Sequence, residues 1–398
     1  MLLTNATLED GTTADVRICT GSIDAVVTAG GLKPQDGEPT RDLTGYVLLP
    51  APVEPHAHLD KAFLAERFDN PTGDLMGAIH AMEANRHLIT IPDTIERAER
   101  AVRLMAANGC TAIRTHADVT EENGLRSAEA LVEVRHRTND LVDLQIVALT
   151  GWPITGPEGA DNRARLRAAL EMGVDLVGGC PHLDADPAGA NEAYLAVAAE
   201  YRRSVDLHTD ETLNLDMLSL EDLAERVIAS GFPHGVTASH CVSLGMQTFE
   251  VQRRVAEKVA AAGISVIALP QTNLYLQGRS HRTATPRGLT ALVALIAAGV
   301  NVAAGADNLQ DPFNLVGKGD PFETASLMVM AGHLLPVDAY AACSKAARTA
   351  LGLAPNPVAA GAIADLVAVR AGSLREAVAF QPHDRIVLRG GVPIPLTL

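Results

Sequence analysis

The residues best suited to chemistry are histidines and acids that end short apolar segments. His56 and His58 lie two positions apart on a predicted strand, so both side chains point to the same face. Two imidazoles on one face can share a metal ion. Later apolar segments end in His208, Glu211, His240 and Asp307. Three neutral imidazoles and one carboxylate are typical of a zinc or ferrous iron site rather than a magnesium or calcium site.

The apolar segments that carry these residues recur between about residues 46 and 309. Eight runs rich in Val, Ile and Leu alternate with Ala-rich helical patterns, and the runs are 46–58, 111–119, 144–151, 176–184, 204–211, 235–243, 264–273 and 301–308. Unbroken apolar strands that alternate with helices predict a parallel sheet covered on its outer face. Eight such units predict an α/β fold, a (β/α)8 TIM barrel, whose active site lies at the carboxyl ends of the strands.

The two ends of the chain show a different pattern, in which short strands alternate apolar and polar residues between turns. We predict that residues 1–49 and 362–398 form one small β-sandwich built from both termini. Residues 50–361 then form the barrel.

Composition excludes several classes of partner. The chain has 32 Lys and Arg against 48 Asp and Glu, a formal net charge of −16, and no basic run, so we expect no nucleic-acid or membrane partner. Five scattered cysteines without a CxxC pair predict no disulfide framework. The first residues lack a secretory signal pattern, and we expect a cytoplasmic protein. The sequence leaves open whether the chain forms homo-oligomers.

Seven segments together resemble one family. They are HAHLDKAF (56–63), RTHADV (114–119), DLVGGCPHLD (175–184), HTDE (208–211), VTASHCV (236–242), NLYLQGR (273–279) and GADNLQDPF (305–313). Over most of the barrel the chain resembles the amidohydrolase superfamily, specifically its cytosine deaminase-like branch. The tail GAIADLVAV (361–369) resembles the family's return into its β-sandwich.

The resemblance implies a role for each matching residue. It implies metal ligands at His56, His58, His208 and Asp307. Glu211 matches the proton-transferring glutamate, and His240 matches the histidine that orients the attacking hydroxide. Asp307 can also accept the proton of the attacking water.

The resemblance also bears on the number of metal ions. Binuclear relatives bridge two metal ions with a carboxylated lysine after strand four, but residues 176–184 contain no lysine. We therefore expect one divalent ion, zinc or iron(II).

Two departures from the family pattern concern the substrate. Gly151 stands where cytosine deaminases present a glutamine, and Asn308 stands where the family often has a second aspartate. An amide both donates and accepts, whereas a carboxylate only accepts, so the recognised ring edge is expected to differ. The predicted substrate-binding residues are Trp152, His182, Gln277, Asn308 and Phe313. Lys61, His116 and Asp118 are expected to line the pocket or support a ligand, without an assigned role.

These features predict a mononuclear metal-dependent amidohydrolase acting on a C–N bond of a small nitrogen heterocycle. Deamination of a cytosine-like ring by metal-bound hydroxide is the first interpretation. The alternative is hydrolysis of an N-alkylamino triazine or of a cyclic amide. A non-catalytic barrel scaffold is a remote alternative, against which the intact ligand set with Glu211 argues.

Overall fold

The computed structural model describes residues 1–395, so the last three residues of the predicted terminal span lie outside the described part. In chain order the strands are β1 (Leu2–Thr7), β2 (Thr13–Cys19), β3 (Ser22–Thr28), β4 (Thr40–Asp42), β5 (Val47–Pro50), β6 (Glu54–Ala57), β7 (Ala112–Val119), β8 (Asp143–Thr150), β9 (Leu176–Gly179), β10 (Val205–Thr209), β11 (Val236–His240), β12 (Ser265–Ala268), β13 (Val302–Ala304), β14 (Leu366–Val369), β15 (Arg385–Arg389) and β16 (Val392–Pro393).

Strands β6 to β13 pair in sequence order, and every pairing between neighbours is parallel. These strands match the eight predicted apolar runs in order. All eight residues of β7 are buried, as expected for a strand covered on both faces. A bridge between Ala57 and Asp307 joins the first strand to the last and closes the barrel. The predicted (β/α)8 TIM barrel is confirmed.

The helices lie between and after the strands. They are α1 (Leu75–Asn85), α2 (Ile91–Ala107), α3 (Arg126–Arg137), α4 (Ala160–Met172), α5 (Pro187–Tyr201), α6 (Ser219–Ser230), α7 (Val242–Met246), α8 (Phe249–Ala261), α9 (Pro270–Leu276), α10 (Leu292–Ala297), α11 (Pro321–Met330), α12 (Pro336–Cys343), α13 (Lys345–Ala350) and α14 (Leu374–Phe380). Short 3-10 helices span Arg86–Leu88 and Pro181–Leu183.

Local residues explain where several helices begin and end. The Thr90 hydroxyl accepts a hydrogen bond from the first turn of α2, and Asp186 does the same for α5. Gly173 and Gly231 end α4 and α6 with φ of 109° and 59°, a left-handed conformation that glycine adopts without steric cost. None of the helices within residues 1–395 combines the length and apolarity needed to cross a membrane.

Both chain termini contribute to a second sheet of eight strands. Its order is β16-β15-β14-β5-β1-β2-β3, with β4 paired to β1. Ile23 on β3 and Leu388 on β15 belong to opposite ends of this order, yet they share one apolar core with Leu48 and Leu366. The sheet therefore folds around its own core, which confirms that both termini build one β unit. The residue boundaries at 49/50 and 361/362 stay a prediction.

Candidate active site

The carboxyl ends of four barrel strands bring imidazole and carboxylate groups to one point. His56 belongs to β6 and His58 follows it, while His208 lies on β10. His240 ends β11, and Asp307 follows β13. All five side chains are at most 5% exposed. They occupy the end of the barrel at which (β/α)8 enzymes hold their active sites.

His56, His58 and Asp307 converge closely enough to hold one cation, and His208 lies against both histidines. The Nε2 atom of His208 lies 3.2 Å from that of His56 and 3.1 Å from that of His58. The Oδ1 atom of Asp307 lies 3.2 Å from His58 Nε2 and 3.6 Å from His56 Nε2. Such spacings fit nitrogen and oxygen ligands arranged around one ion at about 2.0–2.2 Å.

A chain of hydrogen bonds fixes the ring of His56. The Ser239 hydroxyl donates to Asp206 Oδ1 at 3.0 Å, so it accepts from His56 Nδ1, which lies 2.9 Å away. Arg114 holds the other Asp206 oxygen at 2.8 Å. Burial raises the pKa of Asp206 to about 6, which leaves the carboxylate charged at neutral pH. With its proton on Nδ1, His56 presents the lone pair of Nε2 to the cluster.

A second network lies behind His58. Lys61 Nζ donates to His58 Nδ1 at 3.2 Å, to Asp60 Oδ1 at 3.3 Å and to Asp118 Oδ1 at 2.6 Å. Arg86 donates to the other oxygen of Asp118. Burial disfavours the charged form of Asp118, yet the charges of Lys61 and Arg86 hold the pKa of its carboxyl well below the ordinary value. Asp118 is therefore a charged bridge between two buried cations.

Glu54 joins the first and last barrel strands beneath the cluster. Its Oε1 and Oε2 accept from the backbone N–H of Ala306 at 3.1 and 3.0 Å, and Oε1 accepts from that of His56 at 3.1 Å. The backbone N–H of Asp307 donates to the carbonyl of His56 at 3.0 Å. A Cβ on Gly305 would lie 2.5 Å from Oε1, so glycine leaves the space that this carboxylate occupies. Glu54 thus ties together the backbones that carry two members of the cluster.

Glu211 and His240 lie next to each other beside the cluster. His240 Nδ1 is 3.1 Å from Asn273 Oδ1 and 3.5 Å from Glu211 Oε1. Since the Asn273 oxygen only accepts, His240 carries its proton on Nδ1 and presents Nε2 as an acceptor, 4.0 Å from Asp307 Oδ2. Burial, reinforced by the charge of Asp307, raises the pKa of Glu211 well above its ordinary value. Glu211 is therefore suited to donate a proton.

Burial also sets the charge state of the imidazoles. It lowers the pKa of His56 and His208 well below the ordinary value, and neighbouring histidines add to the effect. Burial likewise lowers the pKa of His240. These three imidazoles are thereby kept neutral, the form in which histidine binds metal. His240 and Asp307 have φ of 68° and 65°, a strained backbone typical of functional sites.

One cavity opens onto this cluster. Apolar side chains from α1 and the strand ends form much of its wall, namely Leu75, Ile79, Met82, Leu149, Trp152, Leu183 and Phe313. His58, His208, Glu211, His240 and Asp307 lie at its polar end. Such a cavity suits a flat ring with polar atoms on its edge.

The comparison with known families decides the class of this protein. Residues 64–394 match the model of an amidohydrolase family. The chain belongs to the amidohydrolase family. It is 34% identical to a pterin deaminase of Rhizobium rhizogenes over 391 residues, which cover 97% of this chain and 88% of that protein.

Two solved structures support the same conclusion. A 5-methylcytosine deaminase from Klebsiella pneumoniae with bound 5-fluorocytosine superposes with a TM-score of 0.90 at 30% identity, covering 100% of this chain and 98% of that one. An N-isopropylammelide isopropylaminohydrolase from Burkholderia multivorans superposes with a TM-score of 0.84 at 28% identity, covering 99% and 97%. The predicted amidohydrolase superfamily and its deaminase-like branch are confirmed.

Membership of the amidohydrolase family confirms the prediction of a hydrolase acting on non-peptide C–N bonds. Metal dependence is typical of amidohydrolases, and relatives of this chain act on small heterocycles. The identity of the ion, the number of ions and the substrate of this amidohydrolase belong to the proposal below.

The structure separates the predicted substrate residues of this amidohydrolase into two groups. Trp152, Asn308 and Phe313 line the main cavity, and Trp152 is 37% exposed there. Gln277 and His182 line a neighbouring depression that shares Glu211 with the main cavity. Gln277 Nε2 donates to the Glu211 carbonyl at 3.3 Å, and His182 Nδ1 to the His208 carbonyl at 3.0 Å. The second group therefore braces the backbone of the site.

Asn308 is held in a fixed orientation. Its Nδ2 donates to Asp311 Oδ2 at 2.8 Å, and its Oδ1 accepts from the Thr272 hydroxyl at 3.3 Å. Gly151 lies on the strand end between two residues that line the cavity, Thr150 and Trp152. A side chain at Gly151 would have its Cβ 3.7 Å from Asn162 and Thr120, so the position has room for a larger residue.

The three residues predicted without an assigned role, Lys61, His116 and Asp118, also lie at the site. The ring of His116 lies 4.0 Å from that of His56, and neither of its nitrogens has a hydrogen-bond partner within residues 1–395. Lys61 and Asp118 line the main cavity. Sequence reasoning missed Glu54 and Arg86. Glu54 lies two positions before His56, which was an available signal, whereas no motif marked Arg86.

Proposed function

We propose that this amidohydrolase is a hydrolytic deaminase of a cytosine-like ring, dependent on one divalent ion held by His56, His58, His208 and Asp307. The observation that carries the proposal is the convergence of these four side chains at the polar end of a ring-sized cavity that also holds Glu211.

The donor atoms suit such an ion. Both Asp307 side-chain oxygens are buried and accept no hydrogen bond from any residue in 1–395. The Nε2 atom of His208 lies 3.2 Å from that of His56 and 3.1 Å from that of His58. Nitrogen lone pairs at these distances repel each other unless a proton or a cation lies between them. Lys61 Nζ lies 3.2 Å from His58 Nδ1; with an ion on Nε2, a neutral His58 would carry its proton on Nδ1, and Lys61 would donate to Asp60 and Asp118.

A bound divalent ion supplies Lewis acidity, which makes a water molecule more acidic and a better nucleophile near neutral pH. Zinc and iron(II) suit the nitrogen-rich donor set. We propose a single ion because the segment after β9, from Cys180 to Asp184, contains no lysine that could be carboxylated to bridge two ions.

The residues of this chain supply the proton transfers. Asp307 accepts a proton from the attacking water, and His240 Nε2 accepts a hydrogen bond from it. Glu211 protonates the ring nitrogen next to the carbon under attack, which makes that carbon more electrophilic. The proton on Asp307 then passes to the amino group, the C–N bond breaks and ammonia leaves, while the remaining hydroxyl proton returns to Glu211 as the carbonyl forms. Protonation of the leaving amine contributes about 10²–10⁴-fold in such reactions.

A second candidate is the removal of an N-alkyl amine from a triazine ring. The likeness to an N-isopropylammelide isopropylaminohydrolase over nearly the whole chain favours it. The same residues serve both reactions, because only the leaving amine differs. Hydrolysis of a cyclic amide, which needs no exocyclic amine, is the third form of this chemistry.

A screen of amine release tests the proposal. Zinc- or iron-reconstituted protein is incubated with cytosine, isocytosine, pterin, aminotriazines, N-isopropylammelide and cyclic amides, and ammonia and isopropylamine are measured separately. We expect ammonia from at least one lactam ring that carries an amino group. Isopropylamine alone would favour the second candidate, and no turnover in the whole panel would contradict the deaminase.

Glu54 offers a further test of the ligand set. In Glu54→Gln the amide oxygen can keep the Oε1 position and accept from His56, but the NH2 group then replaces Oε2 and faces the backbone N–H of Ala306, donor against donor, next to Asp307. We expect metal affinity to fall roughly 10–100-fold, as is typical for residues that orient ligands. Competition with a chelating dye measures it, alongside circular dichroism. Exposed Glu66→Gln is the matched control, and equal affinities in both variants would refute this role.

A further inference from the structure

The segment that follows β13 folds back on itself around one buried carboxyl group. Asp311 is fully buried, and its backbone N–H and carbonyl pair with those of Asn314 at 3.1 Å each. Its Oδ1 atom accepts from the backbone N–H of Phe313 at 2.8 Å and from that of Asn314 at 3.2 Å. Its Oδ2 atom accepts from Asn308 Nδ2 at 2.8 Å. Asp311 therefore holds two residues that line the main cavity, Asn308 and Phe313.

This carboxyl group has no cation among its hydrogen-bond partners within residues 1–395. The partners are two backbone N–H groups and the side-chain N–H of Asn308. Burial raises the pKa of Asp311 to about 7, so the side chain is charged above that pH. Burying a charge without an opposite charge has a free-energy cost that a neutral asparagine of the same size avoids. What aspartate offers at this position is therefore a side chain that only accepts hydrogen bonds.

Asp311 decides which way the amide of Asn308 points. Because a carboxylate only accepts, the NH2 group of Asn308 faces Asp311 Oδ2, and the amide oxygen is turned toward the Thr272 hydroxyl, 3.3 Å away. Each end of the amide keeps one unused position, an N–H on one side and an oxygen lone pair on the other. A ring that contacts Asn308 in the cavity therefore meets a donor and an acceptor in a fixed order.

We propose that Asp311 is a positioning residue for substrate recognition, which fixes the order of donor and acceptor that Asn308 presents to the substrate ring. This inference rests on the proposed function, in which the ring occupies the cavity that Asn308 lines. Asp311 does not itself line that cavity, so it acts through Asn308. Asn314 supports the arrangement, because its Nδ2 donates to the Asn308 carbonyl at 3.0 Å.

Asp311→Asn reverses the order of donor and acceptor without changing the volume of the side chain. The oxygen of the new amide keeps the backbone N–H groups of Phe313 and Asn314, so its NH2 group faces that of Asn308, donor against donor. Asn308 relieves this contact by turning its amide over, which exchanges the donor and the acceptor in the cavity. We expect kcat/KM to fall roughly tenfold to a hundredfold, chiefly through a higher KM, with metal content unchanged.

A double-mutant cycle tests whether Asp311 acts through Asn308. Without the amide of Asn308, the orientation that Asp311 imposes no longer matters. We therefore expect Asp311→Asn to lower kcat/KM less than threefold in the Asn308→Ala background, against tenfold to a hundredfold in the wild-type background. A structural role of Asp311 in the loop would lower kcat/KM equally in both backgrounds.

The cycle is measured at about pH 8.5, where the Asp311 side chain is charged, with each compound of the amine-release panel that wild type turns over. Dissociation constants of the deaminated product, from calorimetry, follow the same cycle without turnover. Exposed Asp36→Asn is the matched control, and circular dichroism confirms the fold of every variant. Equal losses in the two backgrounds, or no loss in the wild-type background, would overturn the inference.

The outcomes also separate this inference from the proposed function. Ammonia release by wild type together with equal losses in both backgrounds would overturn the role of Asp311 and leave the deaminase standing. Release of isopropylamine alone would contradict the deaminase, and the cycle with N-isopropylammelide would still decide the role of Asp311. No amine from any compound would contradict both.

Discussion

Asparagine in place of Asp307 is expected to abolish turnover, with kcat/KM lower by about 10³-fold or more, the scale of a lost proton shuttle combined with a lost anionic ligand. The Asp307 carboxylate lies 3.2 Å from His58 Nε2 and 4.0 Å from His240 Nε2, so one group serves the ligand set and the attacking water. An amide removes the negative charge and the basic oxygen together.

The backbone makes Asp307→Asn a clean test. Asp307 has φ of 65°, and asparagine is among the few side chains that tolerate this left-handed conformation. Amine release and metal content are measured on the same preparations, with exposed Asp36→Asn as the control. A variant within a few-fold of wild type would show that neither the ligand nor the shuttle role belongs to Asp307.

Glutamine in place of Glu211 is expected to keep the metal ion and to lose about 10²–10⁴-fold in kcat, the usual contribution of a general acid. Glu211 lines the cavity 3.5 Å from His240 Nδ1, and burial raises its pKa well above the ordinary value, so it holds a transferable proton. The amide keeps the shape and one acceptor but cannot transfer that proton.

Metal analysis and steady-state kinetics together decide the role of Glu211. Glu225→Gln on the outer side of α6 is the matched control, since Glu225 pairs only with Lys258 at the surface within residues 1–395. Loss of the ion in Glu211→Gln would make Glu211 a ligand. Retention of both the ion and the full rate would remove it from the mechanism.

The barrel strands and the core of the site could be predicted from the sequence for a physical reason. Parallel strands are buried on both faces, so their segments are unbroken apolar runs, and catalytic residues must follow them at the carboxyl ends. His56, His208 and Asp307 obey that rule, and the structure brings them together. Spacing alone could not place His182 and Gln277, whose side chains contact backbone in the neighbouring depression.

The residues that the sequence did not reveal depend on long-range contacts. Arg86 follows α1, a helix with an apolar surface toward the cavity, and its partner Asp118 lies 32 residues further along the chain. Glu54 acts on the backbone of Ala306, 252 residues away, across the seam of the barrel. Neither contact leaves a local pattern, because each exists only once the barrel closes.

Metal titration tests the central proposal most directly. Protein stripped of metal is supplied with zinc or iron(II) in steps below one equivalent, and ammonia release from the preferred ring is measured at each step. The proposal predicts negligible activity without metal, a linear rise, and a plateau at one ion per chain. Full ammonia release by metal-free protein, or a plateau at two ions, would contradict it.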